Sequence, residues 1–176
     1  MSIKTFQKGE IILHQGDICK NLYFMNSGLA RGYIIDKTGK DFTWSIFFND
    51  HNAHMCNLFA TDYESFLHQK TTTIHIEALE DCEVVITSFD NIQFIYNHLK
   101  SGERFGRLMA EEAYSYLHNQ IINRQLKSAK ERFEEFLQQT PHLLEKVPQY
   151  HIATFLGITP QHLSRLKKEY KINICE

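Results

Sequence analysis

The stretch from Thr159 to Lys171 gathers the side chains best suited to chemistry on a partner. Gln161, His162, Ser164 and Arg165 supply hydrogen-bond donors and acceptors at spacings that share the exposed face of one helix. Arg165, Lys167, Lys168 and Lys171 stand against Glu169 alone, a surplus of three positive charges (4 − 1) in a chain whose net charge is −2. A nearly neutral chain with one basic helix is no general polycation; it points to local binding of phosphates. On such a helix an arginine suits the O6 and N7 acceptors of guanine, and a glutamine suits adenine or a phosphate. Lysines at its far end suit phosphates or water. Thr159, Gln161, His162, Ser164, Arg165 and Lys168 are therefore the candidate DNA-binding residues.

The residues around them predict how that helix is held. Two short helices crossing steeply through a tight turn need a small residue at the crossing and a left-handed residue in the turn. Ala153 and Gly157 fill these places, while Ile152, Leu156, Ile158, Leu163 and Leu166 supply the apolar side. Thr159 is a good N-cap, and Pro160 falls at the first helical position, where its missing N–H costs nothing. The pattern reads as a helix-turn-helix, with a solvated helical hairpin as the plainer alternative.

Other chemistry-bearing residues are sparser. Cys19, Cys56, Cys82 and Cys175 show neither a C-x-x-C pair nor clustering, which reads as four free thiols and argues against an iron–sulfur cluster. His51, His54 and Cys56 lie close in sequence but fit a polar turn as well as a metal site. His75-Ile76-Glu77 lacks the second histidine of an open metal centre, and no nucleophile elbow, H-E-x-x-H or phosphate loop is present. Glu111-Glu112 and Glu134-Glu135 read as solvated helix faces. No enzyme, cofactor or metal is expected.

The elements that position these residues change character along the chain. Up to about residue 90, short runs rich in β-branched and aromatic residues alternate with turns at Gly9, Gly16, Gly28 and Gly39, which suggests a small antiparallel sandwich or barrel. A short helix is expected over Asn91–Leu99, capped by Asp90 and broken by Ser101-Gly102. From Glu103 to about Asn123 apolar residues recur at helical spacing, giving a helix of about 20 residues and 30 Å. We expect it to form a dimer seam through Phe105, Met109, Ala113 and Tyr116, with packing against its own β-domain as the plainer alternative. A further amphipathic helix covers Ser128–Gln139. The opening residues carry charges and glycine rather than an apolar leader, and nothing approaches a membrane span, so a cytoplasmic protein without membrane contact is expected.

With β-roll glycines first, a long helix next and a helix-turn-helix last, the sequence resembles the Crp/Fnr family of bacterial transcription regulators. Gly9-Glu10, Gly16-Asp17, Leu22-Tyr23-Phe24 and Ser27-Gly28 are similar to the family's cyclic-nucleotide-binding β-roll signature. The resemblance implies an α+β chain with a jelly-roll-like sensor over 1–100, a dimerisation helix over 101–124 and a DNA-binding unit over 125–176. It implies a homodimer on a pseudo-palindromic site in double-stranded DNA, the roll either taking an unidentified small-molecule effector or serving only as a dimer scaffold. Arg165 matches a family arginine that reads the operator. Pro160 and Gln161 stand where the best-known members have Arg and Glu, so their operator is not inherited. The family's hairpin wing is expected to be absent or rudimentary after Glu169.

The sensor departs from the family where it matters most. A cyclic phosphate in the roll requires a buried cation and close backbone N–H groups, usually an arginine and a glycine. Lys40 to Ser101 contains no glycine, and no arginine lies between Arg31 and Arg104. The matching segment offers Asp62, Glu64, Ser65 and His68, with Lys70 as the one nearby cation. Phe59, Glu64, Ser65 and Lys70 are the candidate effector-pocket residues, standard cAMP binding is not expected, and Phe59, Tyr63 and Phe66 are expected to fill the nucleotide's space. The competing reading is a small-molecule-binding module whose C-terminal hairpin contacts a protein.

Overall fold

The computed structural model describes residues 1–171. Cys175 and the remainder of the segment expected to lack a wing lie outside the described residues. Seven strands come first: β1 (Ser2–Phe6), β2 (Ile11–Leu13), β3 (Asn21–Ser27), β4 (Leu29–Ile35), β5 (Asp41–Phe48), β6 (His75–Ala78) and β7 (Cys82–Ser88). They form two antiparallel sheets, ordered β1-β7-β3 and β2-β6-β4-β5. Between β5 and β6 lie two short helices, α1 (Met55–Leu58) and α2 (Tyr63–His68). After β7 come α3 (Phe89–His98), α4 (Lys100–Leu126), α5 (Ala129–Gln139), α6 (Leu143–Lys146), α7 (Gln149–Leu156) and α8 (Pro160–Glu169). No helix among the described residues is long and apolar enough to cross a membrane.

The turn glycines at 9, 16, 28 and 39 all have positive φ. Gly28 is the most constrained, because a Cβ there would lie 2.3 Å from the Asp81 carbonyl oxygen as well as sitting at φ +89°. The β1 strand went unforeseen because only Phe6 among its residues is buried; its pairing with β7 is a tertiary fact with no local pattern.

The helices differ from expectation at one junction. Ser88, not Asp90, caps α3, its hydroxyl accepting from the Asn91 N–H. The break falls at extended Leu99, and Ser101-Gly102 lies inside α4, which runs for 27 residues. Gly102 serves contact rather than termination: a Cβ there would sit 2.3 Å from Ile95 Cγ2 and 2.7 Å from its carbonyl oxygen, so α3 and α4 touch backbone to backbone.

Two apolar cores hold the chain. The first fills the roll around Met25, Phe47, Phe66, Ile76 and Val84. The second joins Leu29, Ile46, Phe48 and Leu79 of the roll to Phe133, Phe136, Ile152, Leu163 and Leu166 of the C-terminal helices. The functional halves expected to divide near residues 124–128 thus share a core. Polar bonds reinforce it: the Thr43 N–H and the Thr154 hydroxyl bond at 3.2 Å, and the Thr154 hydroxyl donates to Thr43 Oγ1 at 2.9 Å. Nearby, buried Arg31 donates to Asp41 (2.6 Å) and Glu77 (2.7 Å), so this cation is balanced within the roll.

Candidate functional site

Gly157, at φ +67°, ends α7 and turns the chain toward α8. Its N–H donates to the Thr154 carbonyl (3.1 Å) and that of Ile158 to Ala153 (2.9 Å), which satisfies the last carbonyls of α7. The Thr159 hydroxyl then caps α8 by accepting from the His162 N–H at 3.2 Å, with Pro160 following it. Ile152, Ala153 and Leu163 are completely buried. This packing fixes which way α8 faces. Thr159, Gln161, Arg165 and Lys168 are exposed, and His162 and Ser164 are half-buried. Lys167 differs from expectation: only 7% of it is accessible, because its position falls on the packed side beside Leu163 and Leu166. Glu169, the one acid of this helix, pairs with Lys130 of α5, leaving the face of Gln161, Arg165 and Lys168 free of carboxylates from α8 itself.

A second site lies between the roll and α4, where a cavity of about 500 Å³ opens. Phe59 and Glu64 line it; Ser65 and Lys70 do not. Ser65 is fully buried, its hydroxyl accepting from the Cys19 N–H (3.0 Å) and donating to the Lys70 carbonyl, so it braces α2. Lys70 pairs with Glu64 at the surface, and its charge is spent there. Asp62 caps α2 by accepting from the N–H groups of Glu64 (3.2 Å) and Ser65 (3.3 Å), and it also accepts from the Thr72 hydroxyl. The chain's own carboxylate thus holds the amides an anion would seek. The aromatics do not fill the space as expected: Phe66 is in the roll core, and Phe59 and Tyr63 form wall.

The wall along α4 includes part of the face expected to form the seam. Met109 is buried, and Met109, Ala113 and Tyr116 face the cavity rather than solvent; Phe105 is half exposed. Burial drives the Tyr116 hydroxyl above its ordinary pKa, keeping it a neutral hydrogen-bonding group. Exposed apolar residues of α4 include Leu108, Tyr114, Leu117 and Ile121, of which Leu117 and Ile121 also line the cavity. A sequence stripe alone could not separate these faces, since both are apolar. His54 sits against the Tyr116 ring, and no group of three or more His, Cys, Asp or Glu side chains among the described residues stands close enough to hold a metal ion. Cys19, Cys56 and Cys82 are free thiols; burial raises Cys56, at the cavity wall, to about 11, so it is a weak nucleophile.

Sequence reading missed Arg124 and Phe155. They bring the end of α4 and a residue of α7 to the cavity wall. Burial, then the neighbouring Arg132, lowers the Arg124 pKa, and its guanidinium carbon lies 5.0 Å from the Phe42 ring centre and 5.8 Å from that of Trp44. The only sequence signal was an arginine at the end of a helical stripe, which reads equally well as a surface cation.

A family model described as cyclic nucleotide-binding domain matches residues 3–99. Solved structures match over nearly the full chain. FixK2 from Bradyrhizobium japonicum is 15% identical with a TM-score of 0.75, the match covering 97% of this chain and 84% of that one. A CooA mutant from Carboxydothermus hydrogenoformans is 22% identical with a TM-score of 0.70, covering 97% and 76%. A protein assigned to the crp/fnr family of transcriptional regulators from Eubacterium rectale is 20% identical with a TM-score of 0.67, covering 97% and 78%. At these identities the likeness is one of fold. Among curated proteins, none matches significantly in sequence.

Proposed function

This chain belongs to the cyclic nucleotide-binding domain family, and from that premise we propose that it is a transcription regulator which binds a pseudo-palindromic DNA site as a homodimer. The observation that carries the reading is the carboxylate-free face of α8, where Gln161, Arg165 and Lys168 are exposed on a helix rigidly crossed by α7. A helix so held enters the major groove by its N-terminal half, each half-site lying about 34 Å from the other in the dimer. The seam we assign to the exposed apolar residues of α4 outside the cavity wall, Phe105, Leu108, Tyr114 and Ile122, through which the two copies of α4 pack. The roll takes an effector, and not cAMP in the standard way, because Asp62 caps the helix end a cyclic phosphate would need.

Selection from random-sequence duplex DNA, followed by affinity measurements across a salt series, tests this. One two-fold-symmetric motif should be enriched, and Lys168→Ala should flatten the salt slope by about one phosphate contact. Recovery of no motif would sink the proposal.

A further inference from the structure

The cavity beside α4 has a composition that selects its ligand. Its α4 wall is continuous from Met109 to Arg124, which spans about 22 Å at 1.5 Å per residue. Most of the remaining wall is apolar, including Trp44, Phe47 and Phe155. A volume of about 500 Å³ is that of a site for a small organic molecule.

Arg124 is the unusual member of this wall. It is paired with no carboxylate among the described residues, and its one protein hydrogen bond is a long one, from Nη2 to the Phe155 carbonyl at 3.4 Å. Its guanidinium carbon lies over the Phe42 and Trp44 rings, contacts that use none of its N–H donors. A half-buried guanidinium with unused donors at an apolar wall lacks one thing, an anion of fork-like shape.

We propose that the cavity binds an elongated amphipathic monocarboxylate, of fatty-acid or arylalkanoate type, whose head pairs with Arg124 and whose body lies along α4. A single guanidinium balances a single charge. Asp62, also in the wall, opposes a polyanion such as a nucleotide, and Arg124 opposes a cation. An uncharged apolar ligand would leave the guanidinium unpaired and further desolvated. The head group also competes for the Nη2 donor that reaches the Phe155 carbonyl of α7, so occupancy is felt by the helix-turn-helix; this consequence rests on the regulator reading above.

Trp44 is the only tryptophan and lines the cavity, so its emission reports occupancy directly. Titration of the full chain with dodecanoate, below its micelle concentration, should give a saturable change, with dodecanol binding about ten-fold more weakly for want of the charged pair. Arg124→Gln should erase that preference while still binding dodecanol. Arg124→Lys, which keeps the stem and the charge but loses the fork, should fall between the two and serves if the glutamine variant does not melt cooperatively. Absence of a saturable response, equal affinity for acid and alcohol, or a preference surviving in Arg124→Gln would overturn the proposal. Affinity for selected DNA, measured without ligand, keeps the two readings separate. Failure there refutes the regulator and leaves the Trp44 result standing, whereas intact DNA binding without a Trp44 response refutes the ligand class alone.

Discussion

The α7–α8 pair and the cavity stand at opposite ends of what a chain writes locally. The first is confined to Gln149–Glu169, so every residue that shapes it stands near those it positions. The second draws its wall from Ile34 to Phe155, through strands, α2, α4 and α7. Local geometry is set by φ preferences, caps and helical period, which sequence states openly. A cavity is set by which faces of distant elements meet, which sequence states only as apolar stripes without direction.

The largest predicted effect tests how separate the two regions are. Leu163 is fully buried in the second core, which also contains Leu29, Ile46 and Phe48 of the roll. Leu163→Ala should cost about 3 kcal/mol and lower the midpoint of thermal unfolding by roughly 10 °C. Because the core is shared, one transition should shift as a whole by circular dichroism. A split into a stable roll and an early-melting C-terminal unit would show that the regions are independent.

Next is Arg165→Ala, which acts on one region alone. Affinity for the selected site should fall by about 1–3 kcal/mol, while thermal unfolding and Trp44 emission stay as they were. Unchanged binding would remove Arg165 as the reading residue. Gly157→Val follows at about 1–2 kcal/mol, since a β-branched residue resists φ +67° even though no atom lies within 4 Å of its Cβ position. The loss should appear as faster hydrogen exchange in α7 and α8, and unaltered exchange there would mean the turn tolerates the substitution.

What the sequence made legible follows the same division. The strands from β2 to β7, α5 and the α7–α8 pair could be read, because β-branched runs between turns, apolar residues at helical spacing, Thr159 as a cap and Gly157 as a turn are signals carried within a few residues. The exposure of Thr159, Gln161, Arg165 and Lys168 was legible too, whereas Lys167 lay on the packed face. By contrast, α1 and α2 were too short to show a period. Ser65 and Lys70 looked like pocket residues until the fold gave one to a brace and the other to Glu64. Arg124 had no distinguishing mark, because its neighbours Phe42, Trp44 and Phe155 come from elsewhere in the chain.

The smallest predicted effect lies where the regions meet. His151 of α7 packs toward Arg31, Asp41 and Glu77 of the roll, with Tyr150 beside it donating to the Asp41 carbonyl (3.4 Å). Burial first, and then Arg31, holds its pKa below the ordinary histidine value; Asp41 and Glu77 oppose the shift without reversing it. The folded chain therefore favours the neutral ring. The unfolded chain takes up its proton near pH 6.5, so this contribution to stability is full above that pH. It diminishes as pH falls through 6.5 and levels off once the folded ring is protonated too. His75, lowered first by burial and then by His14, acts in the same direction. The thermal midpoint should thus be lower at pH 5.5 than at pH 7.5, and His151→Gln should narrow the gap while His75 maintains a remainder. Since the ring sits on the α7–β5 contact, acid should also loosen the fastening of the α7–α8 pair to the roll, seen as faster exchange at Thr43 and Thr154 than in the glutamine variant. An equal gap in both proteins would place the acid sensitivity elsewhere and leave that contact indifferent to proton uptake.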